Sequence, residues 1–271
     1  MRRPVLAVLG LLTLAACGGQ PSAAPVTTTV PTSTTTTTVP ATTTPPTTTT
    51  TTVPPTKPAP VVVLDPGHNG ANAAHPGEIN HQVPAGRGRM KACNTTGTAT
   101  NAGYPEHAFT WDVAVRARDL LTAQGVRVVL TRGNDTGVGP CVDRRAAIGN
   151  ESGAAAVVSV HADGSNDPSA HGFHIAYSAP PLNEAQGEPS TRLAATMRDT
   201  LAAKGFPTAT YIGSAGLSPR DDLGGLNLSE RPAVLVECGN MRNGTEAAAF
   251  GSPDGRASYA AAIAAGILAY L

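Results

Sequence analysis

The chain has few cysteines, little charge and no long apolar run, and each shortage removes a class of protein. Its 271 residues hold four cysteines, Cys17, Cys93, Cys141 and Cys238, and no C-x-x-C pair among them. Metal ligation by paired thiolates is therefore disfavoured. Charged residues make up 14% of the chain, and 19 lysines plus arginines balance 19 acidic residues. Without a basic excess, nucleic acid and other polyanions are not expected as partners. The apolar run Val5–Leu14 is too short to span a bilayer comfortably.

That run is instead framed as an export signal. Arg2 and Arg3 precede it and small residues follow it, the layout of a signal peptide over 1–16. It closes on Leu14-Ala15-Ala16-Cys17-Gly18, which resembles a bacterial lipobox, in which the cysteine becomes the lipidated first residue after cleavage. Cys17 would then anchor the protein to the outer face of the cytoplasmic membrane. The alternative is ordinary cleavage after Ala16 and a secreted product. Loss of Arg2 and Arg3 lowers the basic count from 19 to 17 against 19 acidic residues, a net charge near −2.

Residues 17–60 are almost wholly Thr, Pro, Ala and Val, with scarcely any charge and no periodicity. Such a segment cannot bury enough surface to offset its ordering entropy, so a disordered spacer is expected. At ~3 Å per residue in polyproline II geometry it would reach on the order of 100 Å. Folding is therefore expected in residues 61–271, a length that suits one α/β domain. Cys93 and Cys141 both sit in polar, Gly-rich loop sequence and are expected to form a disulfide in an exported protein, while Cys238 directly follows an apolar strand and is expected to be buried.

Within that domain, short β-rich runs alternate with helical patterns. Strands are expected at Val61–Leu64, Val126–Thr131, Ala155–Val160, Gly172–Tyr177 and Ala233–Glu237. Helices are expected at Glu106–Gln124, where Phe109, Val113, Ala117 and Leu120 repeat at helical spacing, and at Asp143–Asn150, Ser190–Lys204 and Asp254–Leu271. Residues 66–104 form one long Gly/Asn/Pro-rich connection, too long to be a plain loop without a task. The alternation predicts a single α/β domain, a mostly parallel twisted sheet with helices on both faces. Ligands of such sheets bind outside the carboxyl ends of the strands.

Those ends carry reactive side chains. His68 follows the first strand, His161 follows the Ala155–Val160 run, and Glu237 ends the Ala233–Glu237 run. Glu106 starts the first long helix in phase with its apolar face. A helix N-terminus favours a glutamate electrostatically, but a carboxylate aimed at a core is costly unless a cation or strong donors meet it. Beside two histidines, metal ligation is the better account. Two His and one Glu with a fourth position left open form a catalytic zinc arrangement, and Glu237 could serve as its general base and then general acid. H-E-x-x-H and H-x-x-E-H are both absent, which excludes the zincin and inverzincin proteases.

Asp65-Pro-Gly-His68, Glu106, Gly125-Val-Arg-Val-Val-Leu-Thr-Arg132, Arg144-Arg145, Ser159-Val-His161-Ala and Pro232-Ala-Val-Leu-Val-Glu237 occur in this order. The series resembles the zinc-dependent N-acetylmuramoyl-L-alanine amidases of the amidase 3 type, and the Asn69–Gly103 insertion is similar to their actinobacterial branch. The resemblance implies Zn2+ held by His68, Glu106 and His161, with Glu237 catalytic. It further implies peptidoglycan as substrate, cut between N-acetylmuramic acid and the L-alanine of the stem peptide. Two positions depart from the family pattern: Asp163 stands where Asn is common, and Cys238-Gly-Asn240 replaces the usual Gly-Phe. Two rival readings keep the scaffold: a non-catalytic wall-binding lipoprotein, or a zinc peptidase cutting within the stem. His75, His81, His107, His171 and His174 are read as structural or surface residues, Arg144 and Arg145 as capping or pairing ones, and a monomer is the default.

Overall fold

The computed structural model describes residues 58–271. The signal segment, Cys17 and all but the last residues of the Thr/Pro spacer lie outside the described residues. The first strand, β1 (Val61–Pro66), opens on β-branched valines and pairs on both sides. It ends where proline removes a donor and glycine follows. The polar stretch after it is not one loop. It holds a 3₁₀ turn at Asn72–Ala74, the short helix α1 (Pro76–Ile79), and an antiparallel hairpin of β2 (Gln82–Pro84) and β3 (Met90–Ala92). The Cys93–Cys141 disulfide fastens the end of that hairpin to the start of a helix over Val142–Glu151, and Cys238 is free and buried.

The remaining elements are α2 (Glu106–Ala123), β4 (Arg127–Leu130), α3 (Val142–Glu151), β5 (Ala156–Asp163), β6 (His174–Ser178), α4 (Glu188–Ala203), β7 (Leu217–Arg220), α5 (Gly224–Asn227), β8 (Ala233–Asn240), α6 (Gly244–Gly251) and α7 (Pro253–Tyr270). The sheet order is β4-β1-β5-β8-β6-β7. β4, β1, β5 and β8 are parallel, β6 runs antiparallel to β8, and β7 is parallel to β6. The mostly parallel sheet is as the alternating pattern requires. In α2 the apolar face is completed by Leu121, fully buried, whereas Leu120 is 44% exposed. The buried repeat therefore runs every fourth residue, Phe109, Val113, Ala117, Leu121.

The two faces of the sheet are covered unequally. Val62, Leu64, Val158, Val160, Val234 and Val236 join α2, α4 and α7 in one large core. Val63, Val157, Ala176 and Ala233 turn to the other face and form a smaller cluster with Leu226 of α5. Side chains alternate along a strand, so Asp65, Ser159, His161 and Glu237 share this second, thinly covered face. Cross-strand register agrees: Asp65 pairs with Ser159, Ser159 with Leu235, and His161 with Glu237.

Two buried arginines fix the chain as it leaves β1. Arg132 donates from Nε to the Pro66 carbonyl at 2.9 Å and from Nη2 to those of Gly67 at 3.3 Å and His107 at 3.0 Å. Burial brings its pKa down to about 10 despite Asp135, so it stays charged near neutrality. Arg145 donates to the Pro66 carbonyl at 2.7 Å, the His68 carbonyl at 2.9 Å and Asp65 Oδ1 at 2.8 Å. Arg144, by contrast, pairs with exposed Glu151.

Asp65 also accepts from the hydroxyls of Thr131 and Ser159. Burial opposes its ionisation, but Arg145 and the two hydroxyls outweigh it and hold the carboxyl down at about 2, from 3.8. Because the folded value is the lower one, the stabilisation is full above pH 3.8 and is lost as pH falls through about 2. A depression of nearly two units corresponds to about 2 kcal/mol. Urea midpoints taken from pH 4.5 down to about pH 2 should show a loss of that size in the wild type, and Asp65→Asn should remove that part of the acid dependence. An equal acid loss in the variant would assign the effect to other groups.

Candidate metal centre

His68 is the last residue of the arginine-clamped turn, and its backbone is left-handed, with φ 59°. A non-glycine residue there costs on the order of 1 kcal/mol, a strain typical of functional sites. Its imidazole Nδ1 lies 3.1 Å from the Thr95 carbonyl oxygen. A carbonyl only accepts, so Nδ1 carries the hydrogen. Nε2, 3.1 Å from Glu106 Oε1, is then left with a lone pair in the neutral ring. Thr95 belongs to the strap that follows β3, which is how the long polar insertion serves the site.

Glu106 is 4% exposed and opens α2 after Pro105. Its Oε2 accepts from the Thr98 backbone N–H at 2.9 Å, and its Oε1 from that of Ala162 at 3.2 Å. Oε1 also lies 3.0 Å from His161 Nδ1. Burial opposes the charge on Glu106, yet the two imidazoles outweigh it and hold the carboxyl well below the usual carboxylate range. For His68, burial pulls the imidazole down and Glu106 more than offsets it, so the net shift is upward.

His161 sits inside β5 rather than past its end, because pairing continues to Asp163. Its ring meets that of His68 edge to face, with centroids 4.8 Å apart. Two glycines make the approach possible. A Cβ at Gly67 would come within 2.2 Å of the His161 ring, and one at Gly97 within 2.8 Å of both His68 and Glu106 Oε2.

His68, Glu106 and His161 thus each offer a ligand atom within 4.8 Å of one another. Two imidazole nitrogens and one carboxylate oxygen, with an outer carbonyl fixing one ring's tautomer, match the donor set of a catalytic zinc site. Among the described residues His81, Cys93 and Cys141 also meet. There the sulfurs are consumed in the disulfide and supply no thiolate.

Glu237 lies within β8, in register with His161 on one side and His174 on the other. Its Oε2 is buried and has no hydrogen-bond partner among the described residues. Burial, then the charges of Asp163 and Glu106, push its carboxyl well above the ordinary carboxylate range, against Arg220. A carboxyl of this kind can hold or release a proton closer to neutrality. All four side chains line one cavity of about 450 Å³. Its other end is apolar, walled by Val142, Ala146, Val157, Leu223, Leu226 and Leu235.

The other histidines stand apart from this cluster. His75 pairs with Glu78 at 2.7 Å, His107 with Asp135 at 2.7 Å, and His171 faces the Ser169 carbonyl at 2.8 Å. His174 is 1% exposed and sits 3.7 Å from Asp163 Oδ2. Sequence reasoning did not find Thr95 or Thr98, whose contributions come from a loop without periodicity.

Comparison with known proteins shows the family. The chain is 53% identical over 211 residues to the N-acetylmuramoyl-L-alanine amidase Rv3717 of Mycobacterium tuberculosis, covering 78% of this chain and 86% of that protein. Its fold superposes on the crystal structure of the N-acetylmuramyl-L-alanine amidase Ami1 from Mycobacterium smegmatis with a TM-score of 0.76 and 56% identity, over 79% of this chain and 97% of the other. For the apo form of Ami1 from Mycobacterium abscessus the TM-score is 0.75 at 55% identity, over 78% and 98%. The model of the N-acetylmuramoyl-L-alanine amidase family matches residues 62–269, nearly the whole described domain, and the chain belongs to that family.

Proposed function

We propose that this peptidoglycan amidase, which cleaves the bond between N-acetylmuramic acid and L-alanine, works through zinc held by His68, Glu106 and His161, with Glu237 as proton carrier. The observation that carries the reading is the buried Glu106 carboxylate, met by both imidazoles in the same cavity as Glu237. Zinc bound there supplies Lewis acidity toward the amide carbonyl and lowers the pKa of water to about 7. Glu237 accepts a proton from the attacking water and returns it to the amide nitrogen as the C–N bond breaks. The lactyl carboxylic acid so formed loses its proton to solvent and is released as a carboxylate, and the stem peptide leaves with a free L-alanine amine. The Thr95 carbonyl keeps His68 in the tautomer that presents Nε2, and the arginine-clamped turn keeps it in place.

A wall-binding module on the same scaffold would need no proton carrier beside a metal cluster. Incubation with insoluble peptidoglycan separates the two. Release of soluble stem peptide fits the enzyme; co-sedimentation without release fits the binding module.

The wall substrate puts the protein outside the cytoplasm. We assign 1–16 as signal peptide, Cys17 as lipid attachment site, 17–60 as a Thr/Pro-rich linker and 61–271 as the catalytic domain. The support is the Leu14-Ala15-Ala16-Cys17 run and the low-complexity composition that follows. Cys17→Ser is expected to move the protein from the membrane fraction to the medium or to leave the signal uncleaved. Unchanged membrane association and processing would remove Cys17 from this role.

A further inference from the structure

β5 and β8 lose register between His161 and Asp163, and such an irregularity re-aims the side chain beside it. Asp163 lines the same cavity as His161 and Glu237. Its Oδ2 accepts from the Tyr211 hydroxyl at 2.8 Å. Burial, with the Asp163 charge, pushes the Tyr211 phenol far above its ordinary value, so it remains a donor. His174 packs its ring edge against Tyr211 and brings Nδ1 to 3.7 Å from the same Oδ2. That nitrogen is buried, in a residue 1% exposed, and has no hydrogen-bond partner among the described residues. Asp163 is therefore held through one oxygen, while Oδ1 accepts no hydrogen bond among the described residues.

A second anchored carboxylate beside the proton carrier needs a use. Hydrolysis of the amide leaves a carboxylate on one side and a primary amine on the other. Glu237 returns one proton to that nitrogen. The free α-amine, with an ordinary pKa of about 7.7 to 8, takes a further proton from solvent below that pH and becomes an ammonium. An ammonium has three donors and bonds most strongly to carboxylate oxygens. Among the described residues Asp163 Oδ1 and Glu237 Oε2 accept no hydrogen bond, and both side chains line one cavity.

We propose that Asp163, anchored through Oδ2 by Tyr211, binds the ammonium of the released stem peptide through Oδ1, so that the product amine is itself recognised by the groove. The inference rests on the amidase reading, and Tyr211 is a positioning residue in it. Calorimetric titration of the full chain with L-alanyl-γ-D-glutamate and its N-acetylated form tests it, about one pH unit below the amine pKa of roughly 7.7. The free amine is expected to bind about tenfold more tightly, the ratio typical of a charged hydrogen bond. Asp163→Asn should bring the ratio close to one with the acetylated peptide's affinity unchanged, and Tyr211→Phe should reduce it in part. Equal binding of the two peptides by the wild type would overturn the proposal. So would no binding of either, or an Asp163→Asn variant that weakens both alike. Amidase products from a wild-type digest without any amine preference would sink this inference alone. A digest without amidase products would sink the reading beneath it.

Discussion

Glu237→Ala is expected to bind zinc as the wild type does and to lose on the order of a thousandfold in turnover, within the range for removal of a positioned acid–base group. The reason is placement. Glu237 stands in register with His161 yet makes no contact with Glu106 or His68 short enough to be an ion pair or hydrogen bond. Its removal therefore leaves the side chains of His68, Glu106 and His161 and their outer contacts as they are. Among the described residues its Oε2 has no partner to lose, so truncation leaves no stranded donor there. Metal analysis and turnover measured on the same sample check both halves. Wild-type turnover would remove Glu237 from the mechanism, and loss of metal would make it a ligand instead.

His161→Ala is expected to lose both metal and turnover. Outer contacts of a metal site are worth about 10- to 100-fold in affinity, and a direct ligand is worth more. Zinc affinity should therefore fall by more than about a hundredfold. The truncation leaves Glu106 buried against one imidazole instead of two, and an incompletely paired buried carboxylate is destabilising. The ring fills the space above Gly67 only because glycine has no Cβ. Competition with a chelator of known affinity measures the effect. Full metal retention would contradict the assignment of His161.

Much of this centre was legible before the fold, because it is built on strong local signals. β-branched runs long enough to read as buried strands place His68, His161 and Glu237 at one edge, and the apolar phase of α2 turns Glu106 toward them. What holds the centre was not legible. Arg132 and Arg145 reach Pro66, Gly67 and His68 across 65 or more residues, and no spacing rule encodes that reach. Strands β2, β3 and β7 and helix α5 are three or four residues long, too short to show a period, so tertiary contacts decide them. Leu120 and Leu121 are adjacent and chemically identical, and only packing against the sheet chooses between them. Asp163 was visible as a departure from the family pattern, but its tie to Tyr211 spans 48 residues.

The bond that is broken is the most direct test of the whole account. Purified muropeptides digested by the zinc-loaded wild type should yield, by mass spectrometry, unsubstituted lactyl-muramic acid and stem peptides with free L-alanine amino termini. Shortened stems still attached to sugar would contradict it and place the cut within the peptide.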